Sequence, residues 1–166
     1  MAWVIVDPRI GIQPIAETST TASTVVGLGD IVQARDPDYG VGQFIYLKGV
    51  ASTVVGSWVI YRMDDATTTL AVANDHGPVA VSMSANAAST SYGWYQIQGK
   101  ASAKFLTAFV DNGVCYLTAT AGSLDDTDVA GDFVSGALGA SAVNETTLLA
   151  DVELWGTPFV RDGLDN

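Results

Sequence analysis

The chain holds one histidine and one cysteine in 166 residues, and only 15% of its residues are charged. Each shortage closes off a class of function. Any Ser/His/Asp or Cys/His nucleophile scheme depends on His76 alone, which sits in the turn Asn74-Asp75-His76-Gly77-Pro78, and no Gly-x-Ser-x-Gly elbow accompanies it. A histidine in such a turn is expected to be solvated or locally hydrogen-bonded, not catalytic. One histidine and one cysteine are too few for a structural zinc site. Cys115 has no partner for an internal disulfide; beside Val114, Tyr116 and Leu117 it reads as a small buried hydrophobe made in a reducing cytoplasm. The apolar run Trp3-Val4-Ile5-Val6 has no basic residue before it and stops at Asp7-Pro8, too short for a secretory leader. No segment approaches the roughly 20 apolar residues of a membrane helix. The expectation is a soluble protein that is not addressed to export.

Basic residues are also scarce: seven face 18 acidic ones, and the net charge is −11. A phosphate backbone would be repelled, so nucleic acid is not an expected partner. Average soluble domains carry roughly 25% charged residues, and this chain combines far fewer with 48% hydrophobic ones. Ser, Thr, Gly and Ala can cover part of such a surface. The balance favours further burial against subunits or a larger assembly.

The polar clusters that are present do not make sites by pattern. Asp125, Asp126, Asp128 and Asp132 beside Gly131 offer oxygen ligands for calcium but do not match an EF-hand loop, and a solvated acidic turn is the simpler reading. Asp64 and Asp65 are adjacent and so cannot flank a glycosidic bond. Gly27-Leu28-Gly29 lacks the third glycine and the strand–helix setting of a dinucleotide fingerprint, and Asn144-Glu145-Thr146 is a glycosylation sequon only in a secreted eukaryotic protein. No cofactor, metal or catalytic residue is expected, and the chain is read as not an enzyme.

What the sequence does have is sheet patterning. Val79, Val81 and Met83 alternate with Ala80, Ser82 and Ser84, and Trp58, Ile60 and Arg62 with Val59, Tyr61 and Met63. Turn residues at Asp36-Pro37-Asp38-Tyr39-Gly40, Val55-Gly56-Ser57, Asp64-Asp65-Ala66, Asn74 to Pro78, Asp111-Asn112-Gly113 and Ala121-Gly122-Ser123 separate short segments. Strands are expected near 30–35, 42–51, 56–63, 68–73, 78–84, 92–102, 104–110, 113–120, 131–138 and 147–155. Ala103 to Val110 is the one stretch that also suits a short helix, and Asn112-Gly113 signals a hairpin between Phe109-Val110 and Val114 to Leu117.

Within this pattern Phe44-Ile45-Tyr46-Leu47-Lys48-Gly49 returns as Trp94-Tyr95-Gln96-Ile97-Gln98-Gly99, and Val152-Glu153-Leu154-Trp155-Gly156 echoes both. Gly56 and the strand after it resemble Gly113 and the strand after it. Gly49 to Gly56 is shorter than Gly99 to Gly113, so the second copy is expected to carry an insertion of about one strand or turn. Such echoes suit a small barrel or two related sheets. The aromatics Phe44, Tyr46, Trp58, Tyr61, Trp94, Tyr95 and Trp155 are read mainly as core and interface packing. A sugar-stacking face, with Trp58 and Trp94 at its centre, is the alternative.

Residues 1–29 differ from the rest. Trp3 to Val6 is followed by Pro8, Ile10, Ile12, Pro14 and Ile15 and then by a Ser/Thr run. Proline withholds a ladder donor, so an extended arm is expected here. It either folds back over its own domain or reaches a neighbouring protein. The expected division is an arm at 1–29, a β domain at 30–160 and a tail at 161–166.

Four segments, Gly42 to Ser52, Gly77 to Ser84, Tyr92 to Ala101 and Leu117 to Asp126, resemble a family of tailed-phage virion proteins similar to capsid decoration (cement) proteins. The resemblance spans about residues 30–159. It implies an all-β fold, a compact antiparallel β-barrel or sandwich of β-tulip or SH3-like units with an extended N-terminal arm. It further implies a protein of the virion, on the outer surface of the head, that binds a major capsid protein of HK97-like fold and self-associates, commonly as a homotrimer. A glycan-binding or fibre-type virion module using surface aromatics is the alternative. On this reading Trp3, Val4, Ile5, Val6, Ile10, Ile12, Phe44 and Tyr46 are the expected capsid or subunit contacts.

Overall fold

In Ile31–Asp36 every second side chain is buried, as in a strand with one face on a core. Elsewhere both faces are covered: all four side chains of Trp58–Tyr61 are buried. The computed structural model describes residues 2–88 and 91–161. Every regular element in them is a strand: β1 (Val4–Ile5), β2 (Thr18–Ser19), β3 (Ile31–Asp36), β4 (Gly40–Lys48), β5 (Trp58–Tyr61), β6 (Thr68–Leu70), β7 (Gly77–Ser82), β8 (Tyr92–Lys104), β9 (Val114–Leu117), β10 (Leu124–Asp125), β11 (Phe133–Gly139) and β12 (Leu149–Val160). They form one antiparallel 12-stranded sheet, folded over itself as a sandwich and not closed into a barrel.

The pairing repeats. In the first half β4 pairs with β8, β5 with β6 and β7, and β7 with β8. In the second half the end of β8 takes the part of β4: it pairs with β12, β9 pairs with β10 and β11, and β11 pairs with β12. An isolated parallel bridge joins Lys48 to Thr67 in the first half and Phe105 to Leu124 in the second. The loops match as well. The Asn86 amide donates to the Thr53 carbonyl at 2.8 Å and the Val143 amide to the Phe109 carbonyl at 3.0 Å. Ser52 and Ala108, one in each loop, have φ of 68° and 69°. The chain is a duplicated unit with a period of 56 to 57 residues that shares one long strand, β8.

This duplication corrects two expectations. Phe44 to Gly49 and Trp94 to Gly99 are neighbours in the sheet, with Tyr46 opposite Trp94, and not equivalent positions in two copies. The true counterparts are Tyr95 to Gly99 and Val152 to Gly156, together with Gly56 and Asn112, whose φ are 84° and 60°, and the second copy carries no inserted strand. The segment 104–110 is neither a full strand nor a helix. β8 ends at Lys104, and Phe105 and Phe109 turn inward and stack at 3.8 Å between ring centroids, which ties the segment down as a core-filling loop. The turn at Asn112 exists, with φ of 60°, but β9 pairs forward to β10 and β11 and makes no hairpin with the residues before it.

β8 serves both halves because it bends at Gly99, whose φ is +95° and whose missing Cβ would lie 2.5 Å from the Val41 carbonyl oxygen. The fully buried Gln96 spans the bend, its amide donating to the carbonyls of Gln98 and Lys100 at 3.1 and 2.8 Å. Three buried clusters result. Ile45, Leu47, Val59, Tyr61, Ala80, Tyr95 and Ile97 fill the first half. The second half's core is larger and includes Trp58, Ile60, Val79 and Val81 from the outer side of β5 and β7. Its β8 contribution, Ala101 and Ala103, is small, which lets those side chains fit against it. The third cluster, Phe44, Tyr46 and Trp94 with Val32 and Ala34, lies under the N-terminal segment.

Candidate interaction surface

The N-terminal segment lies across the sheet as a strap. β1 pairs with β3, Val4 opposite Arg35, and β2 pairs with β8, Thr18 opposite Gly93. Between these two ends the chain is stitched to the aromatic tips beneath it: the Trp94 indole donates to the Gln13 carbonyl at 2.8 Å, and the Tyr46 hydroxyl donates to Gln13 Oε1 at 3.2 Å. Trp3 meets Phe44 edge-on with ring centroids 4.9 Å apart. Trp3, Ile5 and Ile12 pack onto the third cluster, and Ile15 is buried within it. Arg9 closes the intervening turn through ion pairs with Asp7 at 2.9 Å and Asp30 at 2.8 Å.

Asp36 anchors the beginning of the strap. Burial alone would raise its carboxyl, but the backbone amides of Asp38, Ala2 and Tyr39 all donate to it and hold it below the ordinary aspartate range.

Because side chains on β1 alternate, anchoring Trp3 and Ile5 inward turns Val4 and Val6 outward, where they are 65% and 62% exposed. Ile10, on the turn, is 94% exposed. Val4 continues a row across three strands through Arg35 to Val41, which is also exposed, as is Ile31 at the other end of β3. Ala2, Val4, Val6, Arg35 and Pro37 line a groove of about 370 Å³ beside this row. Among the described residues β1 is the terminal strand of the sheet path, so the exposed Val4 and Val6 border an open sheet edge.

The expected contact residues therefore divide. Val4, Val6 and Ile10 are presented to the outside; Trp3, Ile5 and Ile12 are half-buried and hold the strap down. Phe44 and Tyr46 are a correction: both are fully buried beneath the strap and have no surface left for a partner. Sequence reasoning missed Gln13, Asp36, Ile31 and Val41. Asp36 was legible only as a turn former, and nothing in the sequence marked Gln13 as the group that meets two aromatic tips. The expected tail at 161–166 lies outside the described residues except for Arg161.

The other patterns separate in space. Trp58, Tyr61, Trp94 and Tyr95 are buried and Trp155 alone of the seven aromatics is exposed, so they form no common stacking face. Of the four clustered aspartates, Asp132 is buried and accepts the Asn74 amide at 2.6 Å, Asp126 accepts the Val110 amide at 3.0 Å, and Asp125 accepts the Thr127 hydroxyl at 2.8 Å. Among the described residues no three His, Cys, Asp or Glu side chains are grouped to hold a metal. His76 borders an open groove of about 530 Å³ with Arg62, Asp64 and Asp75. Cys115 is buried, which pushes its thiol up to about 12, far from a reactive thiolate.

No protein family, curated protein or solved structure matches this chain.

Proposed function

We propose that the chain is a non-enzymatic virion protein that binds the outer surface of a phage head and stabilises its lattice, with a major capsid protein of HK97-like fold as partner. The observation that carries this reading is the apolar row at the β1 edge. Val4 and Val6 stand exposed at the open outer edge of β1, with Val41 two strands away across Arg35, on a strap that is itself fixed from below. A sheet edge beside apolar side chains recognises extended chain by adding a strand, the mode suited to a protein that spans a seam between lattice neighbours. The resemblance to decoration proteins supports the same reading. So does the net charge of −11, which suits the outside of a shell whose interior is packed with phosphates.

The test is co-sedimentation of the purified protein with expanded heads, alone and as Val4→Asp/Val6→Asp. The wild-type protein is expected to pellet with the heads and raise their resistance to heat, and the double variant to stay in the supernatant. Wild-type protein that does not associate with expanded heads defeats the proposal.

A further inference from the structure

Strand pairing assigns counterparts to the surface through which the two halves meet. In the first half Trp58 faces Val81 and Ile60 faces Val79 across β5 and β7. In the second half Val114 faces Leu138 and, beyond an irregularity in the β11 register, Tyr116 faces Phe133 across β9 and β11. The first four are buried because the second half's core covers them. The second four are not buried in this way: Tyr116 and Leu138 are half-buried, and the other two stand open. Val114 and Phe133 are 40% and 43% exposed, and Phe159, brought onto the same face opposite Ser135, is 38% exposed. The side of a repeated unit that faces water is normally polar. Here all four positions are apolar or aromatic, and the Tyr116 and Phe133 rings lie 5.9 Å apart along the face.

The borders of this face carry opposite charge. At the β12 border the Arg161 guanidinium stands 6.0 Å from the Phe159 ring centroid. At the far border Asp125 of β10 lies opposite Tyr116. We infer that the outer face of β9, β11 and the end of β12 is an interface with a second copy of this chain, related by a two-fold axis. Such an axis lays the Val114 and Phe133 surfaces of two copies against each other as packed sheets. It also brings Arg161 of each copy to Asp125 of the other, so one patch is complementary to itself. A partner of a single charge sign would match only one border.

Sedimentation equilibrium on the full chain tests this without any capsid present, so its outcome is separate from that of head binding. The wild-type protein is expected to be a dimer. Phe133→Asp is expected to weaken association by at least about thirtyfold, as for a central interface residue. Arg161→Glu, at an exposed position that leaves the core untouched, is expected to weaken it about tenfold, with Asp125→Arg in the same chain restoring it. Met63→Asp, on an exposed turn outside this face, is expected to change nothing. A wild-type monomer at high micromolar concentration overturns the inference. So does a dimer or trimer that neither Phe133→Asp nor Arg161→Glu weakens.

Discussion

The outer faces of β4–β8 and of β8–β12 occupy equivalent positions in the duplicated unit and have opposite chemistry. In the first half Phe44 lies opposite Gln96 and Tyr46 opposite Trp94; in the second, Lys100 lies opposite Glu153 and Ser102 opposite Asp151. The first set is buried under the strap. The second is partly open to water and carries an ion pair, Lys100 to Asp151 at 2.8 Å. The backbone pairing is shared, so the difference follows from what covers each face: an extended strap needs apolar partners, and an uncovered face needs polar ones. The strap is thus part of the first half's core, and only its outward row is free for another molecule.

The largest difference between the two halves is expected where they join. Trp58→Ala, which empties a fully buried site, is expected to cost about 3–5 kcal/mol in urea unfolding, whereas Val114→Ala, at the paired position of the second half, is expected to stay below about 1 kcal/mol. Measured at concentrations where the chain is monomeric, equal losses at both sites would mean that the two faces are covered alike. Next in size is the strap. Trp3→Ala is expected to cost about 2–3 kcal/mol for the lost apolar contact. Trp3→Phe should cost much less, since the Trp3 indole N–H is buried without an acceptor among the described residues and gives up nothing when removed.

A smaller, pH-dependent effect belongs to Asp36. Its folded carboxyl titrates below the ordinary aspartate value, so its contribution is fully present above that value and is lost as pH falls through the folded one. Thermal unfolding followed from neutral to acid pH should lose stability in this range, and Asp36→Asn should flatten that part of the profile. An unchanged slope in the variant would remove Asp36 as the strap's anchor. The least effect is expected from the uncovered face. Lys100→Ala breaks a partly exposed ion pair and should change stability by less than about 1 kcal/mol.

Much of the fold was legible in the sequence, for reasons visible in these residues. Alternation in Val79 to Ser84 and turn chemistry at Asn74 to Pro78 are local signals, and they place β7 within a residue or two. The duplication was half legible. Gly56 and Gly113 fell within one residue of it: the equivalent of Gly56 is Asn112, and both take positive φ at the same loop-to-strand turn. The aromatic echo at Phe44 and Trp94 pointed elsewhere because side-by-side strands under one cover acquire similar side chains. Residues 104–110 misled because Phe105 and Phe109 look like strand or helix positions, and only the second half's core shows them as inward anchors of a loop. At the interaction surface, the apolar arm was evident, but which of its residues face outward depends on β1 pairing with β3, a contact about thirty residues away in the chain.

The most direct measurement is the position and orientation of this chain in a three-dimensional reconstruction of an intact virion. Copies of this fold are expected on the outside of the head, with the β1 edge and its exposed Val4 and Val6 against the shell and the strap still seated on Trp94. Finding the chain in another part of the particle, or on the head with the β1 edge turned to solvent, would contradict the proposed function.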